Sequence, residues 1–160
     1  MIIFRRPVTG LSQTTLARFV ARAKDAMRLR YSVNVLVTGN REMREMNHRF
    51  RQKNRETDVL SFPAGNGLAG FAGDIALSAD MAARNARCLG HTTAQEIKIL
   101  VLHGLLHLAG YDHEQDHGEM GRKEARLRRA LGLPTGLIER NVRSGRASPA
   151  VRRVRPRQSR

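Results

Sequence analysis

Apolar residues recur along this chain with two periods, and the change from one to the other marks out the elements. Leu16, Phe19, Val20, Ala23 and Met27 lie three or four apart, which predicts an amphipathic helix over roughly residues 12–29. Tyr31 to Thr38 alternates and is rich in valine, as a strand does. Gly39-Asn40 breaks that strand, and Asn40 is placed to cap a helix carrying Met43, Met46 and Phe50 on one face; the methionine pair reads as core. Arg51 to Glu56 is a polar, basic loop. Thr57 to Phe62 predicts a strand stopped by Pro63, and Gly73 to Ser78 a further strand, with the glycine-bearing stretch between them fitting an antiparallel pair. Residues 2–5 suit a short edge strand. Ser78 or Asp80 opens a helix reaching about Cys88, and a last helix runs from about His117 to Leu131.

Between them lies a helix of a different kind. Thr93 and Glu96 form a capping-box pattern, and behind them Ile97, Ile99, Leu100, Val101, Leu102, Leu105, Leu106 and Leu108 make the helix apolar on most faces. A helix apolar on most sides is buried, so this one is central. The apolar run is broken by Lys98 and followed by His103, so it does not span a membrane. Mixed helices and strands with one hairpin-like pair predict an α+β domain.

That central helix carries the chemistry. His103 and His107 are one turn apart and leave the same face, Gly110 lets the helix stop, and His113 follows the turn. Burying imidazoles is costly unless each finds a partner, and a metal ion satisfies three at once. Three imidazoles with a fourth position open are what a catalytic zinc takes, although nickel and copper also accept them. His117, Asp116 and Glu114 compete for the third place, and His113 has the better spacing. Asp112 either orients an imidazole from behind or caps the turn. His48 and His91 are far off in sequence and read as surface or loop residues. The spacing matches the zinc-protease pattern H-E-x-x-H-x-x-G-x-x-H except that Gly104 stands in place of the general-base glutamate, which argues against peptide hydrolysis by that route.

Composition narrows the substrate. The formal net charge is +15, and eight of those charges are the arginines between Arg140 and Arg160, a stretch without an acidic residue; residues 1–139 keep +7. A basic body with a basic tail favours polyanions such as RNA. Aromatics make up only 4% of the chain, too few for a binder built on base stacking. Residues 1–140 read as one domain and 141–160 as a disordered basic tail. The single cysteine, Cys88, excludes an internal disulfide and reads as a small buried side chain near a helix end; with no secretory signal, the cytoplasm is the expected compartment.

Three blocks together resemble the YbeY family of bacterial metal-dependent endoribonucleases. They are His103-Gly-Leu-Leu-His107-Leu-Ala-Gly110-Tyr-Asp-His113; the run from Asn47 through Phe50, Arg51 and Lys53 to Thr57-Asp58-Val-Leu-Ser61-Phe-Pro63; and Gly73-Asp74-Ile75. Glu56 departs from the family, which usually has proline there. The resemblance implies a mixed sheet of about four strands with the metal helix packed on it, one Zn²⁺ on His103, His107 and His113, and Arg51 as the functional arginine. It implies a single-strand-type endoribonuclease in small-subunit ribosomal RNA maturation and ribosome quality control, with a ribosomal protein or an assembly GTPase as further partners. A metal ion would polarise a phosphoryl oxygen or activate water, with Arg51 neutralising developing charge. The nucleophile is water or the RNA 2′-hydroxyl, and no general base is identified. Two rivals stand beside this reading: a zinc metalloprotease-like hydrolase, and a non-catalytic RNA or ribosome assembly factor with a structural metal.

Overall fold

The computed structural model describes residues 1–65 and 69–134. The elements run β1 (Ile2–Phe4), α1 (Gln13–Met27), β2 (Ser32–Thr38), α2 (Asn40–Arg51), β3 (Val59–Pro63), β4 (Phe71–Ser78), α3 (Ala79–Leu89), α4 (Thr93–Leu108) and α5 (Glu119–Ala130). The four strands form one mixed sheet in the order β1-β2-β4-β3. β1 pairs with β2 and β2 with β4 in parallel, while β3 runs antiparallel to β4. The α+β expectation and the antiparallel pair are thus met. The expected tail, residues 141–160, lies outside the described residues, as does Gly67.

The sheet is covered on both faces, and α4 is what the main core is built around. Ile97, Leu100, Val101, Leu102, Leu105 and Leu106 of α4 are fully or almost fully buried with Val35 and Val37 of β2, Ile75 and Leu77 of β4 and Leu16 and Phe19 of α1. A smaller cluster of Met43, Leu60 and Ala76, with Met46 and Phe62 against it, joins α2 to the other face. Met43 is core as expected; Met46 is half-buried and Phe50 is 60% exposed.

Several boundaries differ from the sequence expectation, each for a physical reason. Pro63 does not stop β3 but ends it from within, pairing with Gly73; β3 is an edge strand, where a missing N–H costs no ladder bond. The capping box of α4 is Thr92 with Gln95, one residue earlier than Thr93 with Glu96. Glu96 is drawn inward instead, where its carboxylate lies 2.6 Å from His91 Nε2. His91 does lie in a loop, but its side chain is only 7% exposed. Cys88 is exposed. α3 buries the stripe Ala79, Ala82 and Ala86, and Cys88, two residues past Ala86, falls on the opposite side of the helix. Arg51 is the last residue of α2 rather than the first of a loop.

The start of α2 is capped from a distance. Asn40 is its first residue, and its side-chain oxygen accepts from Ser78 Oγ at 2.5 Å. The Asn40 N–H donates to Asp80 Oδ2 at 2.9 Å, and Arg6 donates to Asp80 Oδ1 at 2.8 Å. Arg6 and the Asn40 amide hold the Asp80 carboxyl below the usual carboxylate range. Stability from a depressed carboxyl is present above its unfolded pKa, about 3.9, and is lost as pH falls through the folded value. Asp80→Ala is expected to cost about 1 kcal/mol at pH 7, most of it the lost cap rather than the solvent-screened ion pair. Urea denaturation at pH 7 and again at pH 2 checks this, with the difference shrinking in acid.

Candidate metal centre

Helix α4 delivers His103 and His107 from one face, and the turn that follows returns His113. The α4 C-terminus ends in a Schellman motif: Tyr111 N–H donates to the Leu106 carbonyl and Gly110 N–H to that of His107, both at 3.0 Å. Gly110 sits at φ 94°, a left-handed conformation that disfavours any side chain. Asp112 holds the next turn, accepting the Glu114 N–H at 3.0 Å. Of its two expected roles, the turn cap is the one the hydrogen bonds display. Asp116 accepts the N–H groups of Gly118 and Met120 and so starts α5.

Three ring nitrogens, one from each histidine, lie within 4.8 Å of one another, a geometry that could hold a metal ion. The Nε2 atoms of His103 and His107 are 3.1 Å apart. Ring centroids are 4.7 Å apart for His103 and His107, 5.2 Å for His103 and His113, and 5.3 Å for His107 and His113. Burial falls across the cluster: His103 is buried, His107 intermediate and His113 exposed. The site therefore has a dry floor and an open side. Burial, reinforced by the His103 and His113 rings, pushes the His107 pKa below the ordinary histidine value. His107 is thus neutral at pH 7, the form that ligates.

Sequence reasoning missed the residue behind His103. Glu124 of α5 is 1% exposed, and its carboxylate lies 3.1 Å from His103 Nδ1. A proton on Nδ1, donated to that carboxylate, leaves the Nε2 lone pair facing the cluster. The donor chemistry therefore fits a transition metal: two Nε2 atoms otherwise meet at hydrogen-bond distance in the middle of the site, and a carboxylate fixes one tautomer. A signal was available. Met120, Glu124 and Leu127 form the buried stripe of a helix that is otherwise strongly basic, so Glu124 is an acid on an apolar face.

Arg51 touches β3, the strand that lies against α4. Its Nη2 donates to the Ser61 carbonyl at a long 3.5 Å, and Ser61 Oγ is 3.5 Å from the carbonyl of Gly104, the residue after His103. Arg51 itself is exposed. Asn47, 2% exposed, fixes the chain around it: its side chain donates to the Arg55 carbonyl at 2.9 Å, and its own carbonyl accepts from Lys53 at 3.3 Å. Glu56 pairs with Arg44 of α2 at 3.2 Å and Arg84 of α3 at 3.6 Å.

Gly104 is a packing residue. A Cβ there would lie 3.0 Å from both Cδ1 and Cγ2 of Ile75 and 3.1 Å from Ser61 Oγ. The helix approaches the sheet so closely at this point that only glycine fits without adjustment.

Fold and cluster define an α+β protein with a three-imidazole centre suited to a transition metal. Comparison with known proteins is specific. The sequence model of the family described as endoribonuclease YbeY matches residues 8–132. A Koribacter versatilis protein named endoribonuclease YbeY is 50% identical over 143 residues, 89% of this chain and 93% of its own length. One of the same name from Solibacter usitatus is 48% identical over 140 residues, 87% of this chain and 92% of its own length. A Thermotoga maritima protein solved in solution has a TM-score of 0.57 and 29% identity, covering 95% of this chain and 100% of that one. This chain belongs to the endoribonuclease YbeY family.

Proposed function

We propose that this chain is a zinc-dependent endoribonuclease that cleaves ribosomal RNA phosphodiesters in the cytoplasm during small-subunit maturation. The observation that carries the reading is the convergence of His103, His107 and His113 on one open-sided point, with Glu124 orienting the first. His103, His107 and His113 would hold the ion, which supplies Lewis acidity towards a phosphoryl oxygen or a water. Glu124 keeps the His103 proton on Nδ1 and the Nε2 lone pair directed inward. Arg51 offers a planar fork of donors to two phosphate oxygens and stabilises the charge that builds up on them. The dry floor around His103 strengthens these interactions. The net positive charge draws the RNA to the protein.

The protease alternative finds no support at Gly104, where the space a glutamate needs is taken by Ile75 and Ser61. Mapping the cleaved ends separates the two nucleophiles: a 2′,3′-cyclic phosphate with a 5′-hydroxyl marks attack by the 2′-hydroxyl, and a 3′-hydroxyl with a 5′-phosphate marks water.

Two outcomes test the roles. Arg51→Ala should lower the cleavage rate about 10²-fold or more while one zinc per chain is retained; unchanged single-turnover kinetics would remove Arg51 from the reaction. Glu124→Ala should weaken zinc affinity by about 10–100-fold. Competition with a chromophoric chelator measures it, and equal affinity would show that the carboxylate does not tune His103.

A further inference from the structure

Most arginines on the sheet-and-α2 side of this protein are already spoken for. Arg5 pairs with Glu42, Arg6 with Asp80, Arg41 with Glu45, and Arg44 and Arg84 with Glu56. At the opposite end of α4 from the histidines the pattern changes. α1, the start of α4 and the residues after α5 enclose a concavity of about 380 Å³ lined by Arg18, Arg22, Lys98, Gln95 and Leu133 over the ring of Phe19. Among the described residues no carboxylate lines it, and neither arginine nor Lys98 enters an ion pair there. Lys98 is the one cation on a helix with ten buried residues; it is half-buried, with its ammonium 5.9 Å from the Phe19 ring centroid.

We propose that Arg18, Arg22 and Lys98 form a second phosphate-binding surface, which holds the backbone of the RNA substrate away from the metal centre. This rests on the endoribonuclease reading for the identity of the RNA, but its binding test does not depend on cleavage. Three observations choose a nucleic acid backbone as occupant. Three cations line one concavity with no acid among the described residues to neutralise them, which calls for a polyanion. Arg18 and Arg22 are exposed and one turn apart, about 5–6 Å between Cβ atoms, so they can take neighbouring phosphates of one strand. The sequence from Arg140 onward carries eight arginines and no acid, so it supplies no anion for these cations.

The surface reads backbone, not bases. Phe19 is 5% exposed and offers no stacking face, and the Gln95 side chain is engaged in the capping box. Contacts of this kind position a substrate without selecting its sequence. From Gln95 to His107 the helix rises about 18 Å, so a dinucleotide at the metal does not touch the patch while a structured RNA engages both.

The test uses the full chain loaded with zinc and a fluorescently labelled structured ribosomal RNA fragment, with Kd measured by anisotropy across a salt series. Arg18→Glu with Arg22→Glu should weaken binding about ten-fold or more near 0.1 M salt and lower the log–log salt slope by about 2. Arg18→Gln with Arg22→Gln, which adds no negative charge, should give a smaller loss in the same direction. The control is Arg30→Glu with Arg87→Glu, an equal charge change at exposed sites away from the concavity. An equal loss in the control would mean general charge rather than a site. No loss in either arginine pair would also overturn the proposal and leave the concavity to another polyanion such as an acidic protein. If the wild type binds RNA but does not cleave it, the endoribonuclease reading fails while the patch is still decided by these affinities.

Discussion

His107→Ala is expected to lose the zinc ion and at least about 10³-fold of RNA cleavage while remaining folded. A Lewis acid stabilises transition-state charge by several kcal/mol, and each 1.36 kcal/mol is a factor of ten. His107 is the best single probe of the three. His103 is buried against Glu124, so truncating it would open space in the core and take a hydrogen bond from a buried carboxylate. His107 is only partly buried, and its removal opens space towards solvent instead. Metal analysis by mass spectrometry and a circular dichroism melt separate lost metal from lost fold. A variant that keeps both zinc and cleavage would mean that the ion is held elsewhere.

Gly104→Glu, the substitution that completes the zinc-protease pattern, should prevent folding rather than confer peptidase activity. The first atom of the new side chain meets two Ile75 carbons at 3.0 Å, and its carboxylate would be buried against the sheet. Overpacking of this kind costs about 1–3 kcal/mol, and an unpartnered buried charge adds several more. Together they approach the whole stability of a domain this size. Gly104→Ala is the milder companion: the strain remains, partly offset by up to about 1 kcal/mol of helix propensity. Soluble yield and urea midpoints check both. A Gly104→Glu protein of wild-type stability would show that α4 and β4 are not in tight contact at this point.

What was legible in the chain was local. The helical stripes of α1 and α4, the valine strand β2 and the histidine spacing each follow from a period or an offset within some twenty residues. The antiparallel β3–β4 pair followed from the short connection between two strand-like runs. What escaped depends on partners distant in sequence. The α2 cap comes from Asp80, forty residues on, and so its expected source, Asn40, was misplaced. Glu96 was expected at a cap because its spacing allowed it, but His91 across the loop took it inside. Residue type alone puts Cys88 inside, but its angle on α3, opposite the buried alanine stripe, puts it outside. Glu124 lay between these extremes. Its burial was readable from the Met120–Leu127 stripe, but not that His103 would be its neighbour.

The centre's role is tested most directly by one gel. Zinc-loaded protein, the same protein with chelator, His107→Ala and Arg51→Ala are incubated side by side with structured small-subunit ribosomal RNA. Defined fragments should be strong in the first lane, faint for Arg51→Ala and absent from the other two, with restoration when zinc is added back to the chelated sample. The same fragments at equal intensity in the His107→Ala lane would contradict a catalytic three-histidine centre.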